Sequence, residues 1–345
     1  MGYRTIAVGT DGSETAELAR QAATRLAKRC RAELLIISAY EPPGVPGSSA
    51  REILDEAESR SIEDGISVKT AMALGEPSKV IVDVARREGA DLIVAGNRGM
   101  GKASRFQLSG VPDRIAHTAP CDFLLVITTH TPGPDDPLGL YRNFLIGTDG
   151  SATASEAVRK GFELALMLKA GVSLVYVGDD EIVGGIALEE AAASRLGRTE
   201  VMTTRVGGDP ATRICEVAVD GGHDLIVVGN KGMAGARRYL LASVPNGVAH
   251  NAPTDVLIVK TVGRSLTDIA PGHGGVVTDP GGRTVAAYRD PNGEVTTLSP
   301  RCTHMGCTVD WNDADQTWDC PCHGSRFAVS GEVLDGPAAK PLPPV

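Results

Sequence analysis

The strongest constraint on this chain is that its first three quarters are written twice. TIAVGTDGSETA at 5–16 returns as FLIGTDGSATA at 144–154, GEPSKVIVDVA at 75–85 as GDPATRICEVA at 208–218, and GADLIVAGNRGM at 89–100 as GHDLIVVGNKGM at 222–233. A repeat of this length implies one supersecondary plan folded twice. The second copy is shorter in its middle, where surface loops absorb deletions. The proline-rich THTPGPDDPLG at 129–139 separates the copies as a linker would.

Within each copy, short apolar runs alternate with helical periodicity. In copy one TIAVG, ELLIISAY, ISVKTAMA, DLIVAG and DFLLVIT are apolar on consecutive positions, as strands covered on both faces must be. Between them ETAELARQAATRLAKRC, SAREILDEAESRS, EPSKVIVDVARREG and the segment ending RIAHTAP carry apolar residues three and four apart. Ser13 before Glu14, and Glu76-Pro77, are helix-start signals. Strands alternating with helices predict a doubly wound parallel sheet, and the repeat predicts two of them. The equivalent runs DFLLVIT and DVLIVKT would supply matching edge strands, so the copies can pair within one chain or with another chain.

In such sheets ligands lie beyond the carboxyl ends of the strands. Two glycine-rich turns fall there, GTDGS after the first strand and GNRGMGKAS after the fourth. Backbone N–H groups in such turns suit phosphate oxygens, and Asp11 suits a ribose hydroxyl. Glycine turns also arise for backbone reasons alone, so a purely structural reading stays open. No GK[ST] follows the glycines, which excludes a Walker loop, and no hydrolytic base stands out.

These motifs resemble the universal stress protein family, over 3–128 and 142–260. Its nucleotide-binding members carry Gly-x2-Gly, nine residues, then Gly-Ser or Gly-Thr. Copy two reads Gly229 and Gly232, nine residues, then Ala242-Ser243; copy one reads Gly96 and Gly99, nine residues, then Ser109-Gly110, the pair inverted. The resemblance implies two five-stranded parallel-sheet domains that bind ATP or another adenine nucleotide, cyclic AMP included, copy two first. It adds Thr10 and Asp11, with Thr148 and Asp149, from the first-strand loops.

From Gly274 the pattern changes to strands alone: GGVVTD, RTVAAYRD, EVTTLSP, TVDWN, TWDCP and SRFAVS, separated by Asp-Pro, Asn-Gly and Gly-Gly turns. So small a β domain has a thin core and calls for a metal or disulfide. Its candidates are Cys302-x-His304 and, fifteen residues on, Cys320-x-x-His323. Zinc modules favour Cys-x2–4-Cys and His-x3–5-His, and neither occurs. One thiolate and one imidazole per loop match a [2Fe–2S] cluster with two cysteines on one iron and two histidines on the other. Zinc remains the alternative at this site.

CTHMGC…CPCHGSRF resembles the Rieske iron–sulfur family, and 283–345 resembles the Rieske tail of certain bacterial flavin-dependent oxidoreductases. By that resemblance Cys307 and Cys322 form a disulfide joining the two loops; the other reading is two free thiols beneath the cluster. Ser325 matches the family serine that donates to a bridging sulfide. Phe327 stands where high-potential members have a tyrosine, so one hydrogen bond is missing and the potential falls below theirs.

The expected architecture is two tandem doubly wound parallel-sheet domains, 1–130 and 140–262, and a small all-β iron–sulfur domain, 270–345. A net charge of −9 argues against a nucleic-acid-binding face. No stretch approaches the ~20 apolar residues of a membrane span, and MGYRTIAVGTDGS lacks signal-peptide character, so a cytoplasmic location is expected. The remaining histidines, His117, His130, His223, His250 and His273, show no spacing for an oxygenase iron site. No substrate-turnover site is complete. The sequence points to an electron carrier served by a flavoprotein or ferredoxin-type partner and governed by nucleotide-binding domains. A redox sensor without electron flux, and a nucleotide-binding scaffold whose cluster only braces its tail, are the alternatives.

Overall fold

Two parallel half-sheets meet edge to edge in the first three quarters of the chain. The structure, a computed structural model, describes residues 2–40, 47–63, 65–97, 110–127, 141–197, 200–230, 243–261, 266–269, 271–280, 283–312, 315–320 and 323–345. Copy one runs β1 (Thr5–Gly9), α1 (Glu14–Cys30), β2 (Glu33–Tyr40), α2 (Gly47–Glu63), β3 (Val68–Leu74), α3 (Pro77–Arg87), β4 (Leu92–Gly96), α4 (Val111–Thr118) and β5 (Asp122–Val126). Copy two repeats it as β6 (Asn143–Gly147), α5 (Ala152–Leu168), β7 (Gly171–Val177), α6 (Glu181–Ala193), β8 (Val201–Val206), α7 (Pro210–Asp220), β9 (Leu225–Gly229), α8 (Val244–Asn251) and β10 (Asp255–Val259). The strand order β3-β2-β1-β4-β5-β10-β9-β6-β7-β8 is parallel within each copy.

The apolar strands are buried because helices cover both faces. Ile6, Val8, Leu34 and Ile36 face one helical layer and Ala7, Leu35 and Ile37 the other, as a period of two requires. The helix starts follow from capping. Ser13 and Ser151 accept from the N–H groups of Ala16 and Ala154, each at 3.3 Å, and so satisfy a first-turn donor.

The edge strands β5 and β10 pair antiparallel, Val256 opposite Leu125 and Ile258 opposite Phe123. The expected pairing of the copies therefore occurs inside one chain. Two aspartates hold this seam reciprocally. Asp122 accepts from the Lys260 N–H at 2.9 Å and the Tyr3 hydroxyl at 3.0 Å. Asp255 accepts from the Ile127 N–H and the Tyr141 hydroxyl, both at 2.7 Å. Burial, then the facing carboxylate, pushes both tyrosine hydroxyls well above their ordinary range, which keeps them protonated donors. The seam is not fully symmetric, because the buried Lys260 ammonium donates to the Ala119 carbonyl at 2.6 Å while Ile127 occupies the matching place. Since the copies run antiparallel, the carboxyl ends of their strands lie at opposite ends of the ten-stranded sheet.

The chain divides into a second compact unit after Thr261. It contains β11 (His273–Thr278), β12 (Thr284–Arg289) and β13 (Val295–Leu298) in one antiparallel sheet, and β14 (Asp310–Asn312), β15 (Thr317–Asp319), β16 (Arg326–Phe327) and β17 (Val333–Asp335) in another. The two sheets pack through Trp311, whose ring lies where a β-carbon on Gly274 would be, 2.5 Å from Cδ2. Any other residue at 274 would lift the indole away. The core beneath comprises Ala286, Leu298, Val309, Trp318, Phe327, Ala338 and Leu342, together with Cys302 and Cys320. SRFAVS, expected as one strand, pairs only at Arg326–Phe327, where a register shift breaks the ladder.

Candidate functional site

The two Cys/His loops are built alike. In the first, the Cys302 N–H donates to the Cys307 carbonyl at 2.7 Å and the Gly306 N–H to the Cys302 carbonyl at 2.8 Å. In the second, the Cys320 N–H donates to the Ser325 carbonyl at 2.7 Å and the Gly324 N–H to the Cys320 carbonyl at 3.0 Å. Each loop turns at a left-handed glycine, φ 75° at Gly306 and 74° at Gly324, a conformation that a β-carbon disfavours. Cys302 and Cys320 thus occupy equivalent places, as do Cys307 and Ser325.

The donors separate by depth. Cys302 and Cys320 are buried, whereas His304 and His323 are exposed, their rings 5.0 Å apart and nearly perpendicular. Burial pushes the Cys302 thiol up, but the backbone N–H groups of His304 and Met305 and the side chains of Cys320 and Ser325 outweigh it and hold the thiol below its ordinary value. That environment favours a thiolate, the form that binds metal. Two sulfurs inside and two imidazoles outside suit a two-iron centre, so this donor set fits a [2Fe–2S] cluster.

Ser325 is fully buried and its Oγ accepts from the Ala338 N–H at 3.1 Å, which fixes the side chain beside Cys302. Phe327 is fully buried with no polar atom to offer. No disulfide is found among the described residues. Cys307 is a half-buried free thiol, and its expected partner Cys322 lies outside those residues. Sequence reasoning missed Trp318, whose indole nitrogen is buried without a hydrogen-bond partner among the described residues. Its one sequence signal was a tryptophan two residues before Cys320, a candidate ligand.

At the other candidate site, the order reversal between β1 and β4 and between β6 and β9 places the GTDGS turns beside Gly96 and Gly229. The turns match closely. Asp11 and Asp149 accept from the Ser13 and Ser151 N–H groups at 3.0 Å, and Thr10 and Thr148 from the Gly12 and Gly150 N–H groups at 3.3 and 3.2 Å. Gly99, Ser109, Gly232 and Ala242 lie outside the described residues.

The copies differ where the last motif residue meets the following helix. Gly110 precedes α4 with φ 78° and offers no side chain. Ser243 precedes α8 in an extended conformation, and its hydroxyl is buried without a partner among the described residues. Asn246, in the first turn of α8, is 3% exposed and its Oδ1 also lacks a partner among the described residues, whereas copy one has Asp113 there. Sequence reasoning missed Asn246, although the Asp-to-Asn change between the copies was visible.

A repeated doubly wound sheet with glycine turns at its switch points, followed by a small β unit with two Cys/His loops, defines a two-part class: a doubly wound α/β fold joined to an iron–sulfur fold. Residues 2–126, 140–195 and 184–260 match the universal stress protein family, and 264–345 match the Rieske [2Fe–2S] domain. The chain belongs to the universal stress protein family and carries a C-terminal Rieske domain.

A universal stress protein of Thermus aquaticus is 35% identical over 137 residues, 36% of this chain and 98% of that protein. A universal stress protein structure from Archaeoglobus fulgidus covers 74% of this chain and 96% of its own at TM-score 0.60 and 19% identity, a likeness of fold alone. The Rieske 2Fe-2S iron–sulfur protein YhfW of Bacillus subtilis is 57% identical over 75 residues, which is 22% of this chain but 14% of that protein. A cytochrome b6-f complex iron–sulfur subunit of Chlorobaculum thiosulfatiphilum is 48% identical over 50 residues and is matched over 28% of its length. The chain thus spans well under half of these two Rieske relatives.

Proposed function

We propose that this chain is a one-electron carrier whose universal stress protein copies bind an adenine nucleotide, with copy two as the principal site. The observation that carries it is the depth ordering of the paired loops, buried thiols behind exposed imidazoles. Bound there, a [2Fe–2S] group would take up and release one electron. Cys302 and Cys320 would hold its inner iron, and His304 and His323 its outer iron. The exposed imidazoles would meet a flavoprotein or ferredoxin-type partner, while the apolar floor of Val309, Trp318 and Phe327 would exclude water. Membership of a cytochrome complex in one relative's name supports electron transfer. Among the described residues no helix is long and apolar enough to cross a membrane, and we place the protein in the cytoplasm on this reading.

For the nucleotide, the support is a pair of buried atoms at the start of α8, Ser243 Oγ and Asn246 Oδ1, that have no partner among the described residues. Native proteins rarely leave such groups unsatisfied, and a ligand hydroxyl or amine would satisfy both. Copy one offers neither, and Asp113 would repel phosphate. A Cys307–Cys322 bridge belongs to the same proposal; alkylation with and without reductant would count it.

The test is a redox titration of the anaerobically purified full-length chain, followed by visible and EPR spectra, with and without ATP or cyclic AMP. A single reversible potential with an EPR signal in the reduced state is expected. If nucleotide shifts the potential, reduction must shift nucleotide affinity by the same factor. A colourless protein holding one zinc would sink the redox reading, and no nucleotide binding at millimolar concentration would sink the other.

A further inference from the structure

We infer that the Trp318 indole N–H donates a hydrogen bond to the bound [2Fe–2S] group and raises its potential, in the place of the hydroxyl that Phe327 lacks. Trp318 is fully buried, and its Nε1 has no acceptor among the described residues. Buried indoles ordinarily find one. Trp318 lies in β15 and stands two residues before Cys320, which follows directly after that strand's last residue. It is also the direct cross-strand partner of Phe327. All three pack in one core with Cys302. The donor therefore sits among the two buried ligands and opposite the residue that cannot donate.

Neither Cys302 nor Cys320 takes this proton in the structure, although both pack in the same core. The inferred acceptor is accordingly a sulfur that becomes available only when the group is bound. Each donor to the sulfurs favours the reduced, more negative centre. The competing acceptor is the face of Trp311, whose ring centroid is 4.8 Å away at 62°; an N–H···π contact would satisfy the indole without touching the cluster.

The inference rests on the cluster reading, and the test separates the two. Full-length protein is labelled with 15N only in tryptophan, loaded, reduced and examined by pulsed EPR for a tryptophan 15N coupling. The wild type and Trp311→Phe should show the coupling, and Trp318→Phe should lose it. Trp318→Phe should also lower the midpoint potential by about 59 mV, equivalent to a tenfold loss in the one-electron reduction equilibrium, while Trp311→Phe leaves it nearly unchanged. A loaded wild type with no tryptophan coupling overturns the inference alone, whatever happens to the folding of the variants. So does a coupling that vanishes in Trp311→Phe and survives in Trp318→Phe. A protein that assembles no cluster overturns the proposed function as well.

Discussion

Helices α1 and α5 occupy the same place in the two copies, yet they solve the same burial problem with opposite chemistry. In α1, Arg20 is buried and holds Glu17 through two parallel 2.8 Å hydrogen bonds, and it also donates to Ser61 at 2.6 Å and Thr24 at 3.3 Å. At the matching positions α5 has Ser155, Val158 and Phe162, with Val158 and Phe162 fully buried. A bidentate fork with its remaining donors satisfied can stand in for apolar packing, but only while every member is present. The difference teaches that the fold asks for filled volume under the sheet and is indifferent to how the volume is filled.

That contrast can be broken from either side. Phe162→Ala should cost about 4 kcal/mol, since it removes the largest apolar group of α5 and leaves a cavity. Both tryptophans lie in the C-terminal unit, so fluorescence is blind here, and hydrogen exchange at α5 amides is the appropriate measurement. Glu17→Ala should cost about 3 kcal/mol at α1, because it leaves the Arg20 guanidinium buried without its counter-charge. A loss under half a kilocalorie, near the worth of an exposed pair, would show that the network is ornamental.

Making copy one resemble copy two by Glu17→Ser with Arg20→Val should stay within about 1 kcal/mol of wild type, as buried ion pairs replaced by apolar residues commonly do. A cost as large as that of Glu17→Ala would mean the network is needed for α1 to dock. The smallest effect is a pH dependence. The Arg20 hydrogen bonds hold the Glu17 carboxyl below its ordinary value of 4.5. The unfolded chain therefore takes up the proton first. The stabilisation is complete above that ordinary value and drains away as pH falls through the lower folded one. Protection at α1 amides should weaken in that acid window, and the double variant should lose this component.

Much of the architecture was legible in sequence because the repeat supplied an internal control. The helix 14–30 and the strand ELLIISAY fall where periodicity put them. The seam was half legible. The matching apolar edges were visible, but the clamps Tyr3–Asp122 and Tyr141–Asp255 were not, although Tyr-Arg precedes the first strand of both copies. The C-terminal unit resisted, since strands of two or three residues such as β14 to β17 are too short for a period of two to register. Its two Cys/His loops stood out as candidates from donor chemistry alone. What sequence cannot display is an unmet need: the bare Nε1 of Trp318, the idle Ser243 hydroxyl and Asn246 Oδ1 became visible only once neighbours could be enumerated.

Lys260 at the seam has a wider consequence. In an assembly of two identical polypeptides, every substitution at the junction is imposed on both sides, so a buried ammonium at one end of the seam would be repeated at the other end. Joining the halves covalently lifts that obligation and lets one flank carry a lysine anchored on Ala119 while the other keeps Ile127. It also makes the junction insensitive to dilution, so the two flanks can specialise without risk of falling apart.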